Sequence, residues 1–184
     1  KGQTEIAAVC LSEQGLVSDL TRGTYHLDRI SEPVTFSDAG IEAMAREALQ
    51  KPVGTLLTDE LSEITALSNK NARGEVLAQR FDNLNDLCYF TALSELSFYS
   101  LTDKIPFDTM PETLRLSKLT LYDCKESDGS FLTFPFCGTL SSLTWSKNDV
   151  SALSGLSFPA GLFEMDLSEN RIQDLSALSE LTQL

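Results

Sequence analysis

The apolar residues of the C-terminal half recur with a fixed period. The pattern that begins at Leu140 restarts 22 residues later at Leu162, and again after another 22 at Leu184. The first unit has apolar side chains at Leu140, Leu143, Trp145, Val150, Leu153 and Leu156, and the second has them at the same offsets: Leu162, Met165, Leu167, Ile172, Leu175 and Leu178. Because each unit buries its apolar side against the next, this period predicts a solenoid of stacked repeats.

Earlier repeats follow the same scheme less regularly. One starts at Leu116, which is 24 residues before Leu140, and another at Leu93, which is 23 residues before Leu116. A further repeat starts at Leu61, but an insertion of about ten residues around 71–75 separates its strand half from its return half. We therefore predict about four clear repeats and one split repeat over residues 61–184.

Each repeat is expected to begin with a short strand. We count the apolar residue that opens a repeat, such as Leu140, as offset 1. Offsets 1, 4 and 6 are apolar and alternate with polar positions, as in a strand that buries one face. At offset 9, the Asn69, Asn148 and Asn170 amides are expected to bond backbone groups of neighbouring turns. Cys124 occupies offset 9 in its repeat, and its thiol can bond backbone groups only weakly. With Cys137, it is predicted to be a small buried hydrophobe.

The period changes to that of a helix before the repeats. Apolar residues recur at helical spacing in Ile41, Met44, Ala45, Ala48 and Leu49. Ser37 or Asp38 is the predicted N-cap, the run 51–54 ends the helix, and a second short helix begins at Thr58. Residues 33–60 are therefore predicted to form a cap over the first repeat.

The first 32 residues have a less clear pattern of apolar and polar positions. Two strands are predicted, over 5–11 and 24–30, with a turn near Arg22 and Gly23.

Composition and charge argue against some classes of function. The 184 residues are 42% hydrophobic and carry a net charge of −13, with a pI near 4.4 and a mean hydropathy of −0.07. Apolar stretches are far shorter than the ~18 residues that span a bilayer. An acidic chain is a poor ligand for nucleic acid or for anionic membranes, both of which recruit Lys and Arg.

Candidate catalytic and metal-binding residues are few. His26 is the only histidine, and no motif places a nucleophile near it. Cys10, Cys88, Cys124 and Cys137 lack metal-ligand spacing, although a disulfide among them stays open. The run from Asp123 through Glu126 to Asp128 lacks the ligand spacing of a calcium loop, which favours a solvated acidic turn. We predict no catalytic residue, cofactor or metal.

The outward strand positions are the better candidates for a site. Neighbouring strands lie about 4.8 Å apart, so equal offsets form columns across the concave face. Offset 7 is held by Leu67, Tyr99, Tyr122, Ser146 and Ser168, and offset 3 by Glu63, Glu95, Lys118, Ser142 and Glu164. Tyrosine is enriched at binding hot spots. The predicted partner-binding residues are Leu67, Tyr99, Tyr122, Glu95 and Lys118, although edge packing of the tyrosines is the competing interpretation.

The order of these elements resembles a known family. The runs 34–38 and 41–54, followed by Leu57, Thr58 and Leu61, look like the N-terminal helical cap of bacterial internalin-like leucine-rich repeat proteins, in which such a cap precedes 22-residue repeats. The resemblance implies an α/β leucine-rich repeat solenoid, with parallel strands on the concave face, an irregular convex side and an N-terminal helical cap.

The resemblance also implies a function. A secreted or cell-surface bacterial protein that binds a protein partner through its concave face is expected, with any signal peptide outside this sequence. The alternative is a structural spacer or scaffold segment of a longer cell-surface protein. No capping segment is recognisable after Leu181, so self-association through an uncapped C-terminal edge is a further expectation.

Overall fold

The structure is a computed structural model that describes residues 31–184 and, before them, the backbone of two strands. Strands β1 (Gln3–Ala8) and β2 (Thr21–His26) pair antiparallel. The chain divides into two units, Lys1–Ser31 and Glu32–Leu184. The predicted turn at Arg22 and Gly23 is wrong, since both residues pair with β1 inside β2. Cys10 and the side chain of His26 lie outside the described residues.

The larger unit is built on a parallel sheet of five strands in sequence order. The strands are β3 (Ala66–Ser68), β4 (Glu95–Tyr99), β5 (Lys118–Tyr122), β6 (Ser142–Ser146) and β7 (Glu164–Asp166). The chain returns between them through short 3₁₀ turns at Asn85–Tyr89, Phe107–Thr109, Ser130–Thr133 and Pro135–Thr139, and a fifth, Ser176–Leu178, follows β7. This arrangement is the solenoid that the period predicts, and it has the leucine-rich repeat architecture that the resemblance implies.

Two columns of inward side chains form the core of the sheet. Leu96, Leu119 and Leu143 are register partners in neighbouring strands, and each is 0% exposed. Phe98, Leu121 and Trp145 form the second column and are equally buried. The large buried ring of Trp145 donates its indole N–H to the backbone carbonyl of Glu126. Its predicted role as a core residue is confirmed.

The strand register corrects the prediction at the first repeat. Leu67 pairs with Leu96 and is 2% exposed, whereas the sequence pattern places it on the open face beside Tyr99. The reason is that Leu61 belongs to a helix and does not start the repeat. Ala66 pairs with Glu95, so Ile64, two residues earlier, is the residue that matches Leu93. Leu67 is therefore a core residue and drops out of the candidate site.

The cap contains the two predicted helices, α1 (Ala39–Ala48) and α2 (Thr58–Ser62). Ile41, Met44 and Ala45 are almost completely buried, and α1 packs against β3. Ala48, at the end of the predicted stripe, is exposed. No helix among the described residues is long and apolar enough to cross a bilayer.

Carboxylates join α1 to the first return turn. The Asp38 side chain caps α1 by accepting from the N–H groups of Gly40 and Ile41, at 2.8 and 3.1 Å. Its other oxygen accepts from the Asp82 N–H at 2.7 Å. The buried Asp86 carboxylate in turn accepts from the Asp38 N–H at 2.9 Å. A charged capping bond of this kind stabilises a helix N-terminus, so the cap and the first return segment are held together.

The asparagine side chains after the strands form the predicted bonds to backbone groups of neighbouring turns, and we call this series of bonds the asparagine ladder. Asn148 donates to the carbonyls of Leu121 and Ser146, at 2.9 and 2.8 Å, and accepts from the Cys124 N–H at 2.8 Å. Asn170 accepts from the Asn148 N–H at 2.9 Å. Cys124 offers only its thiol, 3.1 Å from the Phe98 carbonyl, and burial raises the pKa of that thiol to about 12. The ladder is therefore weaker at Cys124, as predicted.

Candidate functional site

The open face of the sheet forms a groove across strands β4 to β7. We call it the concave groove, and it has a volume of about 410 Å³. Its lining consists of outward side chains from successive strands: Glu95, Ser97, Tyr99, Lys118, Thr120, Tyr122, Thr144, Ser146, Asp166, Ser168 and Glu169. In parallel strands equal offsets lie side by side, so the groove contains three columns of aligned side chains.

A pair of tyrosines lies at the N-terminal end of the groove. Tyr99 and Tyr122 are register partners, and their half-buried rings have centroids 6.2 Å apart at an interplanar angle of 41°. The Tyr122 hydroxyl donates to Glu169 at 3.2 Å, across the intervening strand. Small Ser146 lies at the same offset in that strand, so the longer Glu169 side chain can reach over it. The predicted juxtaposition of the two tyrosines is therefore present.

Two lysines lie over these rings. The Lys70 ammonium is 5.0 Å from the Tyr99 centroid, and the Lys147 ammonium is 5.4 Å from the Tyr122 centroid. Both distances are within the range of a cation–π contact. Lys147 also pairs with Asp123 at 3.2 Å, and the hydrogen bond to that carboxylate raises the pKa of Lys147. These contacts orient the rings from within the chain.

Residues in the left-handed backbone conformation determine the position of Lys147. Immediately after each of the strands β4, β5 and β6, one non-glycine residue has a positive φ: 53° at Ser100, 58° at Asp123 and 56° at Lys147. Such a conformation costs of order 1 kcal/mol or more for an ordinary residue. It ends the strand at the same place in each repeat and brings the side chain of Lys147 beside Asp123, at the rim of the groove.

The other predicted site residues lie on the same face. Glu95 and Lys118 are register partners on β4 and β5, and both are exposed. On β6 and β7, Ser142 donates to Glu164 at 2.7 Å. The Asp166 carboxylate accepts from the Ser168 N–H at 2.8 Å, and bonds from the Ser168 hydroxyl and N–H lower the pKa of Asp166. Asp166 therefore carries its charge at neutral pH.

The sequence prediction missed Lys70, Lys147 and Glu169. Lys70 lies three residues after Leu67, and with the corrected register it takes the place in the tyrosine column that was assigned to Leu67. Lys147 and Glu169 follow their strands at offset 8, just outside the strand offsets considered. The signal for Lys147 and Glu169 was available, since the polar position after each strand recurs with the repeat. Lys70 could be placed only with the corrected register of β3.

The remaining candidates do not form a chemical site within the described residues. Glu126 is buried and accepts from the Ile105 N–H at 2.7 Å, whereas Asp128 pairs with Lys104 at 2.7 Å. These carboxylates thus have separate partners, and the described part of the chain brings no three His, Cys, Asp or Glu side chains together around a possible metal position. Cys88, Cys124 and Cys137 are free thiols, the last two buried.

An apolar surface lies at the other end of the sheet. Phe163, Leu175 and Leu184 are 61%, 58% and 51% exposed. Together with Met165, Leu167 and Leu178 they line an open depression of about 520 Å³, which we call the C-terminal patch. Exposed large apolar side chains in one patch are unusual on a protein surface and mark a region of contact. The predicted self-association through this end stays a prediction.

Comparison with solved structures identifies the architecture. An internalin of Listeria monocytogenes, InlF, superposes with a TM-score of 0.50 over 81% of this chain, at 24% sequence identity. The chain has the leucine-rich repeat fold of the internalins. The chain spans 48% of the length of InlF.

A second solved structure is more distant. Internalin C2 of the same species matches 81% of this chain and 92% of its own, with a TM-score of 0.40 and 18% identity. No protein-family model and no curated protein matches the sequence. At 24% identity the likeness to InlF shows the fold alone, so the function has to be argued from the groove.

Proposed function

We propose that the chain is a non-catalytic, extracellular protein-interaction module that binds a protein partner through the concave groove. The single observation that carries the proposal is the pair of Tyr99 and Tyr122, whose rings lie 6.2 Å apart on an open face. Tyrosine supplies a large rigid surface with a polar tip and loses little conformational entropy on binding. Lys70 and Lys147 already hold the rings in place, so a partner meets a preorganised surface.

The interior favours binding over catalysis. All three described thiols have raised pKa values: Cys124 and Cys137 are buried in the core, and the exposed Cys88 does not line the groove. Activated nucleophiles have lowered pKa values and access to a cleft. The groove itself is lined by hydroxyl, tyrosine and carboxylate side chains spread over four strands. Such a surface matches the polar and aromatic character of protein interfaces.

The test is a selection of short random peptides displayed on phage against the immobilised protein. Selected peptides are expected to bind at least about fivefold more weakly to Tyr99→Ala and Tyr122→Ala, because hot-spot truncation costs 1–2 kcal/mol or more. Each variant should keep the melting temperature of the wild type, since both rings lie outside the core. Phe163→Ala is the matched control, because it removes an exposed aromatic ring outside the groove.

Two outcomes would contradict the proposal. Peptides that respond to Phe163→Ala and not to the tyrosine variants would place binding at the C-terminal patch. Failure to select any peptide above background would favour the alternative, a spacer segment whose open face has no partner.

A further inference from the structure

The concave groove is asymmetric in charge. Toward the tyrosine end, Lys118 on β5 has Glu95 of opposite charge beside it on β4. The β7 end carries three carboxylates: Asp166 and Glu169 line the groove, and Glu164 on the same strand lines the C-terminal patch. Within residues 31–184, none of these three carboxylates has a Lys or Arg nitrogen within 4.0 Å, although other surface carboxylates do. Lys147 nevertheless acts on Glu169 over a longer distance, so Asp166 is the β7 carboxylate in the groove on which no described cation acts. In a groove, carboxylates of one sign concentrate the field and attract basic groups.

The floor of the groove has unused hydrogen-bonding capacity. Ser97, Thr120, Thr144 and Asp166 are register partners in one column. Thr120 is only 6% exposed and lines the groove, and its hydroxyl has no hydrogen-bond partner among the described residues. No buried side-chain nitrogen or oxygen of the described residues lacks a hydrogen-bond partner, so the Thr120 hydroxyl is open to the groove, where water or a ligand group can bond it. The column therefore presents open hydroxyls to a polar ligand group, and the last of them, that of Thr144, belongs to the register partner of Asp166.

The tyrosine end favours a different kind of group. Lysine ammonium groups already lie 5.0 and 5.4 Å from the two ring centroids. A second cation at the rings would be repelled by Lys70 and Lys147, while an uncharged apolar or aromatic side chain would not. The two ends of the groove therefore select side chains of different chemistry.

We propose that the partner is a protein segment with two anchors. An uncharged apolar or aromatic side chain lies on Tyr99 and Tyr122, and an arginine lies against Asp166, within reach of the Thr144 hydroxyl. Arginine is preferred to lysine because its planar fork can bond a carboxylate and a hydroxyl at once. This inference deepens the proposed function and rests on it.

Strand geometry also fixes the spacing of the anchors. Tyr122 lies on β5 and Asp166 on β7, two strand spacings away, and Asp166 is in register with Thr120, two residues before Tyr122. The separation of about 10 Å across the strands and about 7 Å along them amounts to about 12 Å. An extended segment advances roughly 3.3 Å per residue. An extended partner that crosses the strands therefore places its arginine about three to four residues from its apolar anchor.

In the test, the peptides selected on the wild-type protein are sequenced, and the selection is repeated on the variant Asp166→Asn. We expect arginine to be enriched about three to four residues from an apolar or aromatic residue, and the arginine enrichment to disappear on Asp166→Asn. Arginine-containing peptides should bind Asp166→Asn about two- to fivefold more weakly, the range for an exposed ion pair. Asp149→Asn is the matched control, since it removes the same charge outside the groove, where Asp149 pairs with Arg171.

The outcomes separate this inference from the proposed function. Peptides that depend on the tyrosines but show no arginine enrichment, or bind Asp166→Asn as well as wild type, overturn the two-anchor partner and leave the groove as a binding surface. Peptides that do not depend on the tyrosines overturn both. An equal loss on Asp149→Asn would show that only the overall charge matters, and it also overturns the inference.

Discussion

Leu153 and Leu175 occupy the same place in successive repeats, 22 residues apart, yet they have opposite environments. Leu153 is 1% exposed and Leu175 is 58% exposed. Their neighbours differ in the same way, since Trp145 is fully buried and Leu167, 22 residues on, is only half-buried. The comparison shows that the periodic sequence determines which side chains point inward, while the adjoining repeat determines whether they are buried.

The opposite end of the sheet shows what a covered edge looks like. There α1 supplies Ile41, Met44 and Ala45, which are at most 1% exposed. The helix is fixed to the first return segment through Asp38 and Asp86. Since both edges present apolar side chains, the difference in burial should appear directly as a difference in sensitivity to substitution.

The largest effect is expected from Met44→Asp. A buried methionine loses about 2–5 kcal/mol on truncation alone, and an unpaired buried carboxylate adds to that cost. We expect the thermal midpoint of the Glu32–Leu184 unit to fall by roughly 10 °C or more, followed by circular dichroism. Leu175→Asp is the control at the exposed edge. An unchanged midpoint for Met44→Asp would show that α1 does not stabilise the solenoid.

A smaller effect is expected when the two equivalent leucines are truncated. Leu153→Ala should lower the free energy of unfolding by about 2–5 kcal/mol because it leaves a cavity in the core. Leu175→Ala should lower it by less than about 1 kcal/mol, since the side chain is largely in water. Urea denaturation of the two variants measures the difference. Equal losses would mean that Leu175 is covered in solution, for example by a second copy of the chain.

The same positions show how much of the fold can be predicted from the sequence alone. The inward columns and α1 could be predicted because their periods are local and strict. Leu67 was misplaced because Leu61 of α2 mimics the apolar residue that opens a repeat, and β3 is too short to reveal its own register. Lys70 was missed for the same reason. The turn predicted at Gly23 failed because strand pairing with β1 overrides the local preference of glycine.

The exposed C-terminal patch is expected to produce weak self-association. Sedimentation velocity of the wild-type protein should show a weight-average mass that rises with concentration, because apolar contact removes Leu175 and Leu184 from water. The double variant Leu175→Asp with Leu184→Asp should stay monomeric. Val53→Asp is the control, since Val53 is 78% exposed at the capped end. A wild-type protein that is monomeric at every concentration would contradict this prediction.

The smallest effect concerns two carboxylates close together in the acidic turn. Desolvation raises the pKa of Glu126 above its ordinary value of 4.5, whereas the hydrogen bond from Lys104 lowers the pKa of Asp128 to about 2. Their contributions to stability therefore have opposite signs. That of Asp128 is present above its ordinary pKa of 3.8 and is lost as the pH falls toward 2. The raised pKa of Glu126 means that the folded state binds its proton more tightly than the unfolded state does.

Glu126 should consequently favour folding below its ordinary pKa and lose that contribution as the pH rises through its folded pKa. The variant Glu126→Gln keeps an oxygen that can accept from the Ile105 N–H, but it removes the buried charge and with it the titration. At pH 7 the variant should therefore be as stable as wild type or more stable, by on the order of 1 kcal/mol at most. Between pH 7 and pH 4.5 the wild type should gain stability relative to the variant, and urea denaturation at both values measures this change. A constant difference between the two proteins across that interval would mean that the carboxyl has an ordinary pKa, and that the hydrogen bond from the Ile105 N–H, together with neighbouring Lys104, offsets the desolvation completely.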